Sequence, residues 1–195
     1  MEYPIIEPVS MAERQAPLYE RYTTEPEAAR ITDYAICTSN TTPASQPLAG
    51  DVELTHSRDS HLRVGVHQAV GGDSDNPTPG DILCAALAAC LDSTIRIIAN
   101  RFGVELTALS VEVTGEVDVR GTLRASEDCP VAFQSFNTQV NVETPPEVDE
   151  KLMLQLVNAA EYSCVVLQTL RSVPSTPITT CVNGRVAAAS SAMAG

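Results

Sequence analysis

The sequence has few of the side chains that bind phosphates or stack on bases. Twelve Lys and Arg stand against 25 Asp and Glu among 195 residues, which gives a formal net charge of −13. Lysine occurs once, at Lys151, tryptophan is absent, and five Tyr and three Phe are the only aromatic residues. Nucleic-acid binding needs a basic surface, and single strands also need stacking platforms. The composition therefore argues against a nucleic-acid partner and against anionic membrane surfaces.

A long hydrophobic run and a secretory leader are also missing. The longest uninterrupted apolar run, 82–91, is shorter than the roughly 20 residues that cross a bilayer. The first 30 residues carry six glutamates and lack a basic segment followed by an apolar one, the pattern of a signal peptide. We therefore expect a cytoplasmic protein whose thiols stay reduced.

Six cysteines stand out against this composition. An even number is compatible with three disulfides in a secreted protein, or with small buried thiols in a cytoplasmic one. A chain of this length buries enough surface to fold without staples, so we favour reduced thiols. His56, His61 and His67 precede most of the cysteines, but no C-x-x-C or H-E-x-x-H spacing accompanies them, and no metal site is predicted.

The hydrophobic pattern predicts an α+β fold. Alternating segments at 29–37, 51–55, 61–70, 109–119, 133–142 and 178–182 indicate strands, and segments at 79–102, 147–160 and 164–170 indicate helices. Thr78, Pro79 and Asp81 form the start signal of the first helix, and Gly103 its end. Because the first half of this helix is apolar all round, we expect it in the middle of the protein, with an antiparallel sheet covered by helices on one side.

The chain divides into three parts by composition. Residues 1–27 are acidic and weakly periodic and form an N-terminal extension, which could pack on a partner. Residues 28–183 form one domain, as the length suggests. Residues 184–195 are small and polar and are expected to be a flexible C-terminal tail.

Two cysteines differ from the rest by their surroundings. Cys90 lies within the predicted buried helix among alanines, which let another backbone or a ligand approach closely. Cys164 stands at the predicted start of a short helix, where free N–H groups and the helix dipole favour a thiolate. The other four, Cys37, Cys84, Cys129 and Cys181, are interpreted as structural side chains.

These two cysteines lie in segments that resemble a known family. The stretch GGDSDNPTPGDILCAALAACLDSTIRIIANRFGVELTALSVEVTGEVDVRG combines Gly-Gly, a Pro before an Ala-rich helix ending in Ala-Cys, a Gly stop and a Val-alternating strand. Downstream, AEYSCVVLQTL places a second cysteine before a short helix. Both segments, in this order, resemble the OsmC/Ohr family of osmotically induced protein C and organic hydroperoxide resistance protein, over about residues 28–183.

The resemblance implies the OsmC-like fold, in which antiparallel sheets pack on a long central helix in an intertwined homodimer. It further implies a thiol peroxidase that reduces organic hydroperoxides, and hydrogen peroxide as a second substrate. Cys90 would attack the peroxide and become a sulfenic acid, and Cys164 would resolve it to a disulfide. An external dithiol reductant would open the disulfide, and no cofactor would be needed.

The sequence departs from the family pattern at two positions. Many members carry a Glu directly after the helix-opening Pro, where it holds the arginine that activates the thiol; here that position is Gly80. Asp81 is the nearest carboxylate, but one residue rotates about 100° around a helix, so Asp81 either orients the arginine or only caps the helix. The usual Pro after the second cysteine is Val165.

The activating arginine cannot be matched to a family position. Arg63 is the first candidate, and Arg58 and Arg21 are the others. Glu161, beside the second cysteine motif, is interpreted as a surface carboxylate with a functional role as the alternative. Gly80 favours a second hypothesis for the whole protein: a non-catalytic member of the fold that binds a small apolar ligand or senses oxidants.

Overall fold

The computed structural model describes residues 9–39, 41–54, 60–172 and 174–190, without the side chains of 187–190. Its helices are α1 (Met11–Thr24), α2 (Pro79–Arg101), α3 (Val119–Thr122), α4 (Glu150–Ser163) and α5 (Val165–Arg171). Its strands are β1 (Ala35–Cys37), β2 (Ala49–Leu54), β3 (His61–Gly65), β4 (Ala108–Glu116), β5 (Ser135–Glu143), β6 (Ile178–Val182) and β7 (Arg185–Ser190). The α+β prediction is confirmed.

Helix α2 begins at the residues that the sequence indicated. The Thr78 side chain accepts a hydrogen bond from the backbone N–H of Asp81, and the Asp81 carboxylate accepts one from the backbone N–H of Thr78 at 2.8 Å. This reciprocal capping box satisfies two N–H groups that no helical carbonyl can reach. After the helix, Gly103 has a φ of +67°, a left-handed conformation that suits glycine.

The expectation that α2 is buried all round is wrong for a single chain. Only one stripe is buried, at Leu87, Leu91, Ile95, Ile98 and Ala99, and alanines 85, 86 and 89 are exposed. The reason is that β4, α4 and α5 pack on that stripe and leave the opposite face uncovered. By length and hydropathy the whole helix also meets the requirement for a membrane span, as the core helices of soluble proteins often do.

The core is formed by this stripe, the β4–β5 hairpin and the two helices that follow it. β4 and β5 pair antiparallel with Val111 opposite Val140 and Leu109 opposite Val142, and their inward side chains pack on α2. Alternation of half-buried and exposed residues along both strands gives the sheet one covered face and one solvated face. Met153, Leu156 and Ala160 of α4 complete the core.

The structure contains three small antiparallel sheets in its described part; the family resemblance implied several sheets, whereas the hydrophobic pattern alone indicated one. The three sheets are β1–β2–β3, β4–β5 and β6–β7. β1 and β6 have no buried residue, whereas β2 is largely half-buried and β3 ends at the buried Gly65. Cys37 on β1 and Cys181 on β6 are exposed, which contradicts their interpretation as buried side chains in one chain.

The C-terminal segment was expected to be flexible, but residues 185–190 form strand β7, which pairs with β6. Asn183 and Gly184 connect the strands with φ angles of +50° and +76°, the left-handed pair that a tight hairpin turn requires. The remaining residues of the predicted tail, 191–195, lie outside the described residues.

Within the N-terminal extension, α1 lies against the C-terminal end of α2. The Asn100 side chain bonds Val9 O and the backbone N–H of Met11, at 2.8 and 2.7 Å. Arg101 bonds the Tyr19 hydroxyl and lies over its ring, 5.1 Å from the ring centre. The extension therefore contains a docked helix, which we did not predict, and residues 1–8 lie outside the described part.

Candidate redox site

The structure brings Cys90 and Cys164 together, although 74 positions separate them in the sequence. Cys90 lies in the middle of α2 and packs against the core cluster that contains Cys164. Cys164 is completely buried and is the residue at which α4 ends and α5 begins. The two side chains interact directly. Two neighbouring thiols in one core are the arrangement that formation of a disulfide requires.

The environment of Cys164 keeps its thiol protonated. Burial raises the pKa of Cys164 most, and the neighbouring Cys90 side chain raises it further. Backbone N–H groups of Leu167 and Val166 at the start of α5 act in the opposite direction but do not reverse the shift. The helix start that we expected to favour a thiolate at Cys164 is thus outweighed by desolvation. A protonated Cys164 suits a resolving thiol more than an attacking one.

Asp81 acts as a helix cap in the structure. The hydrogen bonds from the backbone and side chain of Thr78 lower the pKa of Asp81, so its carboxylate is charged. Nine residues of helix separate Asp81 from Cys90, which corresponds to about 13 Å along the axis. Asp81 therefore does not touch Cys90, and its role as the residue that orients the arginine stays a prediction.

Arg63 and Arg21 are held elsewhere in the single chain. Arg63 lies on β3 and pairs with Asp51 at 3.9 Å, with just over half of its side chain exposed. Arg21 pairs with Glu25 at 3.3 Å within α1. Arg58, the third candidate, lies outside the described residues. Among the described residues, the groups that set the pKa of Cys164 include no arginine or lysine. The activating arginine thus stays a prediction.

The position where the family carries its glutamate faces an aromatic ring here. A Cβ added at Gly80 would lie 3.2 Å from Phe133 Cζ. Phe133 stacks on Phe136 with ring centres 4.8 Å apart, and it also lies over Gly115, where an added Cβ would come within 2.7 Å of Phe133 Cε1. The two glycines therefore make room for an aromatic pair, and Gly80 is part of the packing rather than a simple loss of a carboxylate.

An ion pair that the sequence did not predict spans the second cysteine motif. Arg171 Nη2, at the end of α5, donates to Glu161 Oε1, near the end of α4, at 2.7 Å. Both side chains line a cavity of about 410 Å³ between α2, β5, α4 and α5. Glu161 and Arg171 are ten residues apart across a helix break, so helical spacing gave no signal for the pair.

The other cysteines lie away from the thiol pair. Cys84 is half-buried and faces β4 near Val113, on a different side of α2 from Cys90. Cys129 is half-buried, and its thiol lies 3.6 Å from the carbonyl oxygen of Asp118. All six cysteines are free thiols. Among the described residues, no group of three or more His, Cys, Asp and Glu side chains is arranged to hold a metal ion.

Fold and site define an α+β protein with a long core helix and a pair of contacting thiols. The family model described as "OsmC-like protein" matches residues 71–179, more than half of the chain and both cysteines of the pair. The chain therefore belongs to the OsmC-like family. A search of curated proteins gives no significant match.

Solved structures support the same fold. An OsmC-like protein from Mycoplasma pneumoniae has a TM-score of 0.57 at 15% identity, over 73% of this chain and 89% of that one. An organic hydroperoxide resistance protein OsmC from Legionella pneumophila, described as a predicted redox protein, has a TM-score of 0.53 at 20% identity, over 73% and 91%. An OsmC-like protein of unknown function from Vibrio cholerae has a TM-score of 0.56 at 14% identity, over 72% and 94%. At these identities the likeness concerns the fold, and the family supports a redox or peroxide-related role.

Proposed function

We propose that this protein is a thiol peroxidase that reduces organic hydroperoxides, with Cys90 as the peroxidatic residue and Cys164 as the resolving residue. The observation that carries the proposal is the direct contact between these two thiols inside an apolar core. A sulfenic acid must be captured before it is oxidised further, and a second thiol in contact performs this capture. Apolar surroundings favour organic hydroperoxides over hydrogen peroxide, which is smaller and more strongly hydrated.

The reaction balances in two steps and a recycling step. The Cys90 thiolate attacks the terminal oxygen of R–O–O–H, the O–O bond breaks, and the leaving alkoxide takes a proton to give the alcohol. Cys90 is then a sulfenic acid. The Cys164 sulfur attacks the Cys90 sulfur, a disulfide forms and water leaves with the Cys164 proton. A dithiol reductant supplies two electrons and two protons, which return both cysteines to thiols.

We further propose that the working form is a homodimer. The alanine face of α2 is uncovered, and apolar side chains are exposed on the outer sheets, among them Ile36, Ile178 and Val186. A two-stranded hairpin such as β6–β7 is marginally stable alone. A second copy that covers these surfaces would also supply the missing cation, for which Arg63 of the partner subunit is the first candidate, with Asp81 to orient it.

The reductant and compartment follow from the same chemistry. Recycling requires thiols that stay reduced between turnovers, a condition that the cytoplasm provides. An external dithiol is the simplest reductant, since it opens the Cys90–Cys164 disulfide by two successive exchange steps.

The proposal is tested by following consumption of cumene hydroperoxide by the reduced protein with excess dithiothreitol. The wild type is expected to turn over, Cys90→Ser to consume no peroxide above background, and Cys164→Ser to form a sulfenic acid that no intramolecular thiol resolves. Cys129→Ser, which removes a half-buried thiol outside the pair, is the matched control and should match the wild type. Equal consumption by wild type and Cys90→Ser contradicts the proposal.

A second function, binding of a small apolar ligand without catalysis, is supported by Gly80 and by the lack of a cation at the thiols in the described part of one chain. It predicts that wild type and Cys90→Ser are both inert toward peroxide. The same assay therefore separates the two functions.

A further inference from the structure

The cavity between α2, β5, α4 and α5 has the size and walls of a ligand site. Its volume of about 410 Å³ lies within the roughly 300–1,000 Å³ typical of small-molecule sites. Apolar side chains from all four elements line it, with Leu87 and Leu91 on α2, Val140 on β5, Val157 on α4, and Leu167 and Leu170 on α5. Neither Cys90 nor Cys164 is among its lining residues, but Leu91 follows Cys90 in α2 and the Leu167 backbone N–H faces the Cys164 thiol, so the cavity adjoins the thiol pair.

The polar part of the cavity is the Glu161–Arg171 ion pair. Their side chains are 44% and 53% exposed, so a ligand can reach both from solvent. The described side-chain contacts use only Oε1 of Glu161 and Nη2 of Arg171. One carboxylate oxygen and several guanidinium N–H groups therefore remain for a ligand. Gln168 donates to the Glu161 carbonyl at 3.0 Å and ties α5 to the end of α4, which holds the two charged residues in place.

We propose that this cavity binds a linear apolar molecule that ends in an uncharged hydroxyl group, such as a medium-chain primary alcohol. A hydroxyl both donates and accepts, so it can donate to Glu161 and accept from Arg171 at once. A carboxylate head group would be repelled by the negative charge of Glu161, and an ammonium head group would be repelled by the positive charge of Arg171. The chain packs along the apolar walls, where each buried methylene adds to the affinity.

This inference does not rest on the proposed peroxidase activity. Binding needs neither thiol, and it is measured without peroxide or reductant turnover. A protein that binds alcohol but consumes no peroxide would retain the inference and lose the peroxidase proposal, and the converse result would do the opposite.

The test compares three probes of equal chain length, 1-octanol, octanoate and octylamine, titrated into the reduced wild-type protein and followed by ¹⁵N-HSQC chemical shifts. Saturable shifts at residues around the cavity are expected with 1-octanol, and at least tenfold weaker binding with the two charged probes. Tighter binding of octanoate or octylamine than of 1-octanol overturns the hydroxyl assignment. A lack of saturable shifts with 1-octanol overturns the site.

Three variants locate the binding. Glu161→Ala and Arg171→Ala should each weaken 1-octanol binding at least fivefold, and Val157→Trp should abolish it by filling the cavity. Arg96→Ala is the matched control, since Arg96 is as exposed as Arg171 and pairs with Asp92 at 2.8 Å on α2. If Arg171→Ala fails to fold, Arg171→Lys, which keeps N–H donors, should fold and still bind. Unchanged 1-octanol binding in both folded alanine variants overturns the proposal.

Discussion

The segment 79–171 and the two outer sheets of this chain differ in how far each is buried by the chain itself. In 79–171, α2 contributes the fully buried Leu87 and Ile95, and α4 contributes Ala160. In β1–β2–β3 and β6–β7 no large apolar side chain of the described residues is buried: β2 and β3 are at most half-buried apart from Gly65, and Ile178 is 65% exposed. The first region therefore has a core of its own, and the second has apolar surface without one.

This difference indicates where the proposed second copy would bind. Apolar residues exposed singly are normal on a protein surface, but a two-stranded hairpin such as β6–β7 is marginally stable alone. The exposed face of α2 carries alanines rather than large side chains, so a neighbouring helix can approach it closely. The thiol pair lies in the region with its own core, and Arg63, the first candidate for the activating arginine, lies on β3 of an outer sheet.

The largest expected effect is in the core. Ile95→Ala removes a side chain that is 1% exposed and should cost about 2–5 kcal/mol in the free energy of unfolding. Leu154→Ala is the matched control, since Leu154 of α4 is 58% exposed, and it should change the free energy of unfolding by no more than about 0.5 kcal/mol. Urea denaturation measures both. Equal losses would mean that the core is not where the structure places it.

The next prediction concerns the outer sheet. Ile36→Glu places a charge on β1. If a second copy covers this sheet, the charge would be buried in the dimer, and the dissociation constant of the dimer should rise at least tenfold. Ile36→Val keeps the apolar surface and should leave the dimer intact. Light scattering across a dilution series gives the mass. A dimer that tolerates Ile36→Glu, or a wild type that is monomeric throughout, contradicts the comparison of the two regions.

A smaller effect is expected where two glycines hold the aromatic pair. Gly115→Ala would push its Cβ against Phe133 and should cost about 1–3 kcal/mol. Most of this cost should disappear in the Phe133→Ala background, which a double-mutant cycle measures. Gly50→Ala, where no atom lies within 4 Å of the added Cβ, is the control. A cost that persists without the Phe133 ring would show that the ring is not the cause.

Cys164 should give the chain a pH dependence of stability at alkaline pH. Burial raises the pKa of Cys164 in the folded state above the unfolded value of about 8.5. The unfolded chain therefore loses its proton first, and the stability that is fully present below about pH 8.5 falls as the pH rises towards the folded pKa. Cys164→Ala should reduce this slope, whereas Cys37→Ala, at an exposed thiol, should not. Chemical denaturation from pH 7 to 10 measures it; equal slopes in wild type and Cys164→Ala would contradict the assignment.

The smallest effect is expected at α1. Arg101→Gln removes the cation that lies over the Tyr19 ring and should loosen α1 by less than about 1 kcal/mol, without changing the core. Hydrogen exchange of residues 11–24 should be faster in Arg101→Gln. It should be unchanged in Arg21→Gln, since the Arg21–Glu25 ion pair is exposed and lies within the α1 region. Unchanged exchange in Arg101→Gln would mean that other contacts hold the helix.

Much of the central region could be predicted because its signals are local. The capping interaction between Thr78 and Asp81 marks the start of α2, and the left-handed conformation of Gly103 marks its end. Two comparable local signals lie outside this region. Ser10 caps α1 by accepting from the Glu13 N–H, and Asn183-Gly184 is a strong turn signal for the β6–β7 hairpin.

The rest depends on long-range contacts that no spacing encodes. The ion pair of Arg63 with Asp51 follows from strand register, in which these residues lie opposite each other. The Glu161–Arg171 pair follows from the angle between α4 and α5, and the burial of Cys164 from the packing of both on α2. The resemblance of this sequence to its family predicts which two cysteines form the redox pair, and it makes no prediction for the cation that would activate them.

The most direct measurement is a disulfide map after one equivalent of cumene hydroperoxide is added to the fully reduced protein. The account predicts an intact mass lower by two hydrogen atoms and, after digestion without reductant, a single linked peptide pair that contains Cys90 and Cys164. The other four cysteines should still react with iodoacetamide. A linkage that excludes either residue, or an unchanged mass after the peroxide has been consumed, would contradict the pairing of these two thiols as the redox centre.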